Sequence, residues 1–175
     1  MTLLSVFSWS EFRREKDDYF RTSRHSPLSA EQKASFQGLR YFPASEQWVF
    51  NVPLERYASP KKGFLATNTG EIQEYLNIGQ VHFVVEGEEV ILQVYQATQG
   101  DDYFIPFVDA TAPKETYGAG RYLEPEVIGE GWLRLDFNQA YNPYCAYNDL
   151  WSCPIPPVEN RVKIRIEAGE MKFHD

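Results

Sequence analysis

Two acidic residues and one arginine are the groups of this chain best suited to chemistry. Asp109 opens the stretch DATAPKETYGAGR, which ends at Arg121, and Asp136 opens residues 136–160, DFNQAYNPYCAYNDLWSCPIPPVEN. Two carboxylates in unequal surroundings split their pKa values and can divide the acid and base roles of a reaction. An arginine guanidinium matches a carboxylate or another anion with two parallel N–H donors. Arg121 therefore has two uses, an internal ion pair with Asp109 or Asp136, or the charge partner of a bound anion. The internal pair outweighs the ligand, because a buried arginine usually finds an internal carboxylate.

Neutral donors, acceptors and rings lie around these charges: Thr116, Tyr117, Asn138, Tyr141, Asn142 and Tyr147. In a binding site they would hydrogen-bond and stack a small polar ligand. In a structural role they would tie down a segment too rich in Asn, Pro and Tyr for a helix, whose backbone groups still need partners. The structural use is slightly favoured. Gly118-Ala119-Gly120 allows positive φ or a close approach. No helix follows it, so it is a poor phosphate cradle.

Cys145 and Cys153 do not have C-x-x-C spacing. Buried thiols are favoured over a disulfide across residues 136–160, and both over a metal or nucleophilic role. A cysteine nucleophile needs a base, and His82, on a strand, is the only one suited. His25, His82 and His174 are scattered and make no metal box. No cofactor or metal is expected, and the G-x-S-x-G signature of many serine hydrolases is absent.

The elements that must position these residues are mostly strands. The chain has 175 residues, which fits a single domain, with 43% hydrophobic and 15% aromatic residues. Ser8-x-x-Glu11 and Ser29-x-x-Gln32 are capping patterns for two N-terminal helices, the first amphipathic through Trp9, Phe12, Tyr19 and Phe20. From Trp48 on, short apolar runs alternate with turn signals. Residues 48–52, 63–67, 71–75, 80–85, 89–96, 103–109, 132–137 and 162–167 read as strands, the last with Val162, Ile164 and Ile166 on one face. In 132–137, Leu133, Leu135 and Phe137 share one face and Trp132, Arg134 and Asp136 the other.

Strands joined by tight turns are antiparallel neighbours, and about eight or nine of them must close or fold over to hide their edges. The expected fold is all-β with a small α component. It is an antiparallel meander barrel, or a barrel-like sandwich, with two N-terminal helices packed on it. Residues 1–43 are a helical arm and 44–175 the β-structure, with 136–160 as an irregular strap. A net charge of −8 argues against nucleic acid or an anionic membrane as partner. With no apolar run of membrane length and no leader pattern, the default location is the cytoplasm.

The segments SPLSAEQKASFQGLRYFP, FVDATAPKETYGAGRYL and DFNQAYNPYCAYNDLWSCPIPPVENRVKIRIEAGE resemble the DUF1684 family of uncharacterised prokaryotic proteins. The resemblance implies family positions at Asp109, Thr116, Tyr117, Gly118, Gly120, Arg121, Asp136, Asn138, Tyr141, Asn142, Pro143, Cys145, Cys153 and Asn160. Trp151-Ser152 departs from a commoner small-residue spelling. The resemblance carries no established activity. The leading expectation is a small polar or anionic ligand held at one rim, between residues 109–121 and 136–147, with Arg121 as its charge partner. The alternative is a metal-independent hydrolase or isomerase with Asp109 and Asp136 as acid and base. A third is a structural or interaction protein with no small-molecule site.

Overall fold

A computed structural model describes residues 7–175, and the chain divides into two compact units, Met1–Leu39 and Arg40–Asp175. In the first unit, α1 spans Trp9–Thr22 and is capped by Ser8, whose side chain accepts the Glu11 N–H. Helix α2 spans Ala30–Ser35, and both halves of its Ser29–Gln32 capping box are formed. The caps are placed where local sequence demanded, because they satisfy N–H groups that no helix can satisfy itself. Of the aromatic stripe on α1, Phe20 is buried, its ring 6.3 Å from Phe36, whereas Tyr19 is exposed.

In the second unit the strands form two sheets. Strands β2 (Glu55–Ala66), β3 (Ile72–Val85), β4 (Glu88–Ala97), β5 (Tyr103–Phe107) and β6 (Arg121–Leu123) make an antiparallel meander in sequence order. Strands β1 (Val49–Pro53), β7 (Glu126–Gly129) and β8 (Trp132–Asp136) make the other sheet, in the order β1-β8-β7. The expected barrel is thus replaced by two sheets that do not close on each other, and a sandwich-like all-β fold fits. Both sheets supply side chains to one core, Val52, Leu133 and Leu135 from one and Val81, Leu92 and Ile105 from the other. No helix among the described residues is long and apolar enough to cross a membrane.

The strands differ from the expected ones in several places: β2 begins at Glu55 rather than at residue 63, and β6 and β7 were not expected; two further differences have a clear physical reason. Residues 71–75 and 80–85 are one strand, β3, with a register shift between Asn77 and Gly79 rather than a break. Gly79 is there for close approach, since a Cβ at that position would lie 2.3 Å from the Glu55 carbonyl oxygen. Residues 162–167 are not a strand, although their burial does alternate along an extended path. Arg161 makes an isolated bridge to Val108, the backbones of Val162 and Ile164 bond Val108 and Ala110, and at Ile166 the partners become the side chains of Arg121 and Asp109. The β3–β4 hairpin turns on Glu86 and Gly87, both at positive φ as a two-residue turn needs.

Phe137, directly after β8, is the hub of the core. Its fully buried ring meets Phe83 at 5.3 Å, Phe107 edge-on at 5.6 Å and Phe50 at 6.1 Å. Replacing it by alanine removes all three contacts and opens a cavity. Phe137→Ala is expected to lower the unfolding free energy by roughly 3–5 kcal/mol, read from the urea midpoint at an unchanged slope.

Candidate functional site

Arg121 is placed by β6, opposite Phe107 in the β5–β6 pairing, and is 0% exposed. Gly120 at φ 103° lets the chain pass Phe107, whose carbonyl oxygen a Cβ there would approach to 2.6 Å. The Arg121 guanidinium lies 5.2 Å from the Phe107 ring centre. Its Nη2 donates to Asp109 Oδ1 at 3.2 Å and to the Ile166 carbonyl at 3.0 Å. Its Nη1 donates to the Ala168 carbonyl and, at 3.2 Å, to the Glu170 carbonyl. Burial pushes the guanidinium pKa down, and Asp109 and Glu170 oppose that shift. The internal carboxylate is Asp109, which also accepts from the Ile166 N–H at 2.7 Å and from Thr111.

The neighbouring polar residues do the same kind of work. Asp136 caps the 3-10 turn Phe137–Gln139, accepting from the Asn138 backbone and side chain and from Gln139. Asn138 exchanges two hydrogen bonds with the Ser45 backbone. Asn160 likewise brackets Gln93 and donates to the Pro106 carbonyl. Glu170 is buried and accepts from the Asn142 N–H at 2.5 Å and from the Tyr147 hydroxyl at 3.2 Å. Burial first, then Glu170, hold the Tyr147 phenol protonated. Thr116 is buried against Thr111 Oγ1, and Tyr141 donates to Glu124 at 2.6 Å. The two candidate catalytic carboxylates are therefore engaged by different residues, each within the fold.

Of the seven residues expected to hold a ligand, Arg121, Asn138, Asn142 and Tyr147 face inward, and Thr116 and Tyr117 reach a cleft. This cleft has a volume of about 280 Å³ and is lined by Pro113, Thr116, Tyr117 and Gly118 from one loop, Ala146 from the strap, and residues 172–175. The C-terminal wall is held by Arg40, which donates to the Lys172 and Phe173 carbonyls and pairs with Asp175 at 3.1 Å. The His174 Nε2 lies 3.2 Å from the Tyr147 carbonyl, so that nitrogen carries the proton and donates it. No carboxylate lies within ion-pair reach of the Lys172 ammonium among the described residues. Sequence reading missed this wall, treating His174 as one of three scattered histidines. The signal was the run Lys172-Phe173-His174, a cation, a ring and an imidazole in succession.

Elsewhere His82 sits between Glu55 at 3.0 Å and Glu89 at 2.7 Å. Among the described residues no group of His, Cys, Asp and Glu could hold a metal ion.

The sequence profile of a family described as a protein of unknown function, DUF1684, matches residues 34–171. The chain belongs to the DUF1684 family. Among solved structures it is similar to an uncharacterised protein of Haloarcula marismortui determined by solution NMR, with 31% identity, 93% of this chain and 91% of that one covered, and a TM-score of 0.73. No curated protein matches. The DUF1684 match contains every residue bonded to Arg121. It ends one residue before Lys172, so the cleft has one wall inside the matched region and one beyond it.

Removing Arg121 would strand a buried carboxylate and three buried carbonyls. Arg121→Ala is expected to cost roughly 3–5 kcal/mol of stability. High salt should not narrow that gap, because a pair shielded from solvent is screened little. Chemical denaturation at two ionic strengths checks both statements.

Proposed function

We propose that this DUF1684 protein binds a small organic anion in the cleft between residues 113–118 and 172–175. The observation that carries this reading is the Lys172 side chain, with no carboxylate within ion-pair reach among the described residues, in a cleft also lined by Tyr117 and Phe173. A cation beside two rings suits a ligand with a carboxylate or phosphate at one end and an apolar or planar body at the other. At about 280 Å³ the cleft lies at the lower edge of ligand pockets, so the ligand is metabolite-sized. Lys172 thus takes the role that sequence alone assigned to Arg121, whose two Nη groups are engaged internally.

The hydrolase or isomerase reading has less behind it. A general acid or base must reach the substrate proton, and Asp109 and Asp136 are both buried and already accept several internal donors. A purely structural role rests on the same internal bonding, but leaves the charged cleft without a purpose.

Thermal unfolding in a panel of small carboxylates and phosphates tests the proposal. At a hundredfold excess over Kd, one member should raise Tm by roughly 5–10 °C. Lys172→Ala should abolish that rise while leaving the ligand-free Tm within a degree or so, as for a surface substitution. A rise that survives in Lys172→Ala, or a panel without any rise, contradicts it.

A further inference from the structure

Cys145 and Cys153 lie in a small cluster of their own, with Tyr122 and around them Phe104, Tyr117, Tyr141 and Tyr144. Cys145 belongs to the 3-10 turn Tyr144–Ala146, and Cys153 follows where the strap returns after looping out through the exposed Leu150. Asn68, in the β2–β3 turn, fixes that return. Its Oδ1 accepts the Cys153 N–H at 2.7 Å, and its own N–H donates to the Cys153 carbonyl at 3.3 Å. The two thiols are free, and they are brought within hydrogen-bonding reach of each other.

The surroundings of the two sulfurs are unequal. Cys153 Sγ accepts the backbone N–H of Cys145 at 3.3 Å, and it is also reached by the Cys145 thiol and the Tyr144 N–H. Cys145 Sγ instead meets the Tyr117 hydroxyl at 3.6 Å. Donors converging on one sulfur stabilise its thiolate, chiefly the Cys145 thiol, against the opposing effect of burial. The hydrogen bond to Cys153, then burial, keep Cys145 protonated. A cysteine serving only as a small hydrophobe has no use for such an array of donors.

We propose that Cys153 and Cys145 are a dithiol that small hydroperoxides oxidise reversibly to a disulfide, with Cys153 as the attacking sulfur and Cys145 as the resolving one. The Cys153 thiolate attacks one oxygen of the peroxide. An S–O bond forms, the O–O bond breaks, and the leaving oxygen departs as an alcohol or water after protonation, giving a sulfenic acid. Cys145 then loses its proton and attacks Cys153 Sγ. The S–S bond forms, the S–O bond breaks, and hydroxide takes up the proton and leaves as water. The two thiols give up two electrons and the peroxide accepts them. With Cys145 and Cys153 only 7% and 8% exposed as residues, the pair suits an oxidant little larger than water rather than a bulky disulfide. A dithiol reductant reverses the reaction by exchange.

The test treats the native full chain with hydrogen peroxide at neutral pH, then unfolds it in an alkylating agent for mass spectrometry. The expected product has lost two hydrogens, resists alkylation at both cysteines, and regains both thiols in dithiothreitol. Cys145→Ser should trap a dimedone-reactive sulfenic acid at Cys153, whereas in Cys153→Ser Cys145 should stay unmodified at the same dose. In the untreated wild type, the alkylation rate of Cys153 should titrate below the ordinary thiol value of roughly 8.5, which requires no variant to fold. Full alkylation of both thiols after peroxide, faster attack at Cys145, or a Cys153 titration at or above the ordinary value overturns the proposal.

Discussion

A guanidinium removed from water and turned onto a stretch of backbone is the interaction on which the rest of this fold depends. The Arg121 side chain reaches one carboxylate and three carbonyls, and the carbonyls belong to Ile166, Ala168 and Glu170 of a single extended segment. Asp109 completes the grip by accepting the Ile166 N–H. A strand laid beside a sheet has its backbone satisfied by another backbone. Backbone of residues 108–110 bonds this segment as far as Ile164, and backbone of residues 40–42 and Ala140 takes over at Gly169 and beyond. Between those stretches side chains take the place of a neighbouring strand, and burial makes the substitution obligatory.

The same device recurs where the chain is least regular. Asn138 substitutes for a strand neighbour at Ser45, Asn160 at Gln93 and Pro106, and Glu170 at Asn142. Amide side chains suit this work because each offers a donor and an acceptor in the geometry of a peptide group. The polar residues that looked like a binding site from sequence are therefore largely a clasp. What the clasp leaves at its edge is a cleft on one side of residue 117 and a thiol pair on the other. Tyr117 contributes to both, lining the cleft and placing its hydroxyl beside Cys145.

Features set by local chemistry were legible in the sequence. The caps at Ser8 and Ser29 and the core face of Leu133, Leu135 and Phe137 follow from residue types a few positions apart. The antiparallel meander was legible for the same reason, because short turns leave little choice of neighbour. Closure was not. Whether sheets meet edge to edge depends on pairings between distant segments such as β1 and β8, which carry no local mark. The run 162–167 shows the limit well. Period-two burial reports an extended chain, and it says nothing of what the backbone bonds to. The partner of Arg121 was narrowed to Asp109 or Asp136, but its three carbonyl acceptors had no signature at all, since every residue carries one. Lys172 was overlooked because the lack of a carboxylate within ion-pair reach among the described residues is something only a structure displays.

By this bonding, side chains hold the irregular segments as firmly as strand pairing holds the sheet. Native-state hydrogen exchange at the Ile166 and Asn142 amides, which donate to Asp109 and Glu170, measures that firmness directly. Protection comparable to that of Leu92 and Val94 in the centre of the five-stranded sheet is expected. Exchange as fast as in the exposed turn at Gly100 would contradict it.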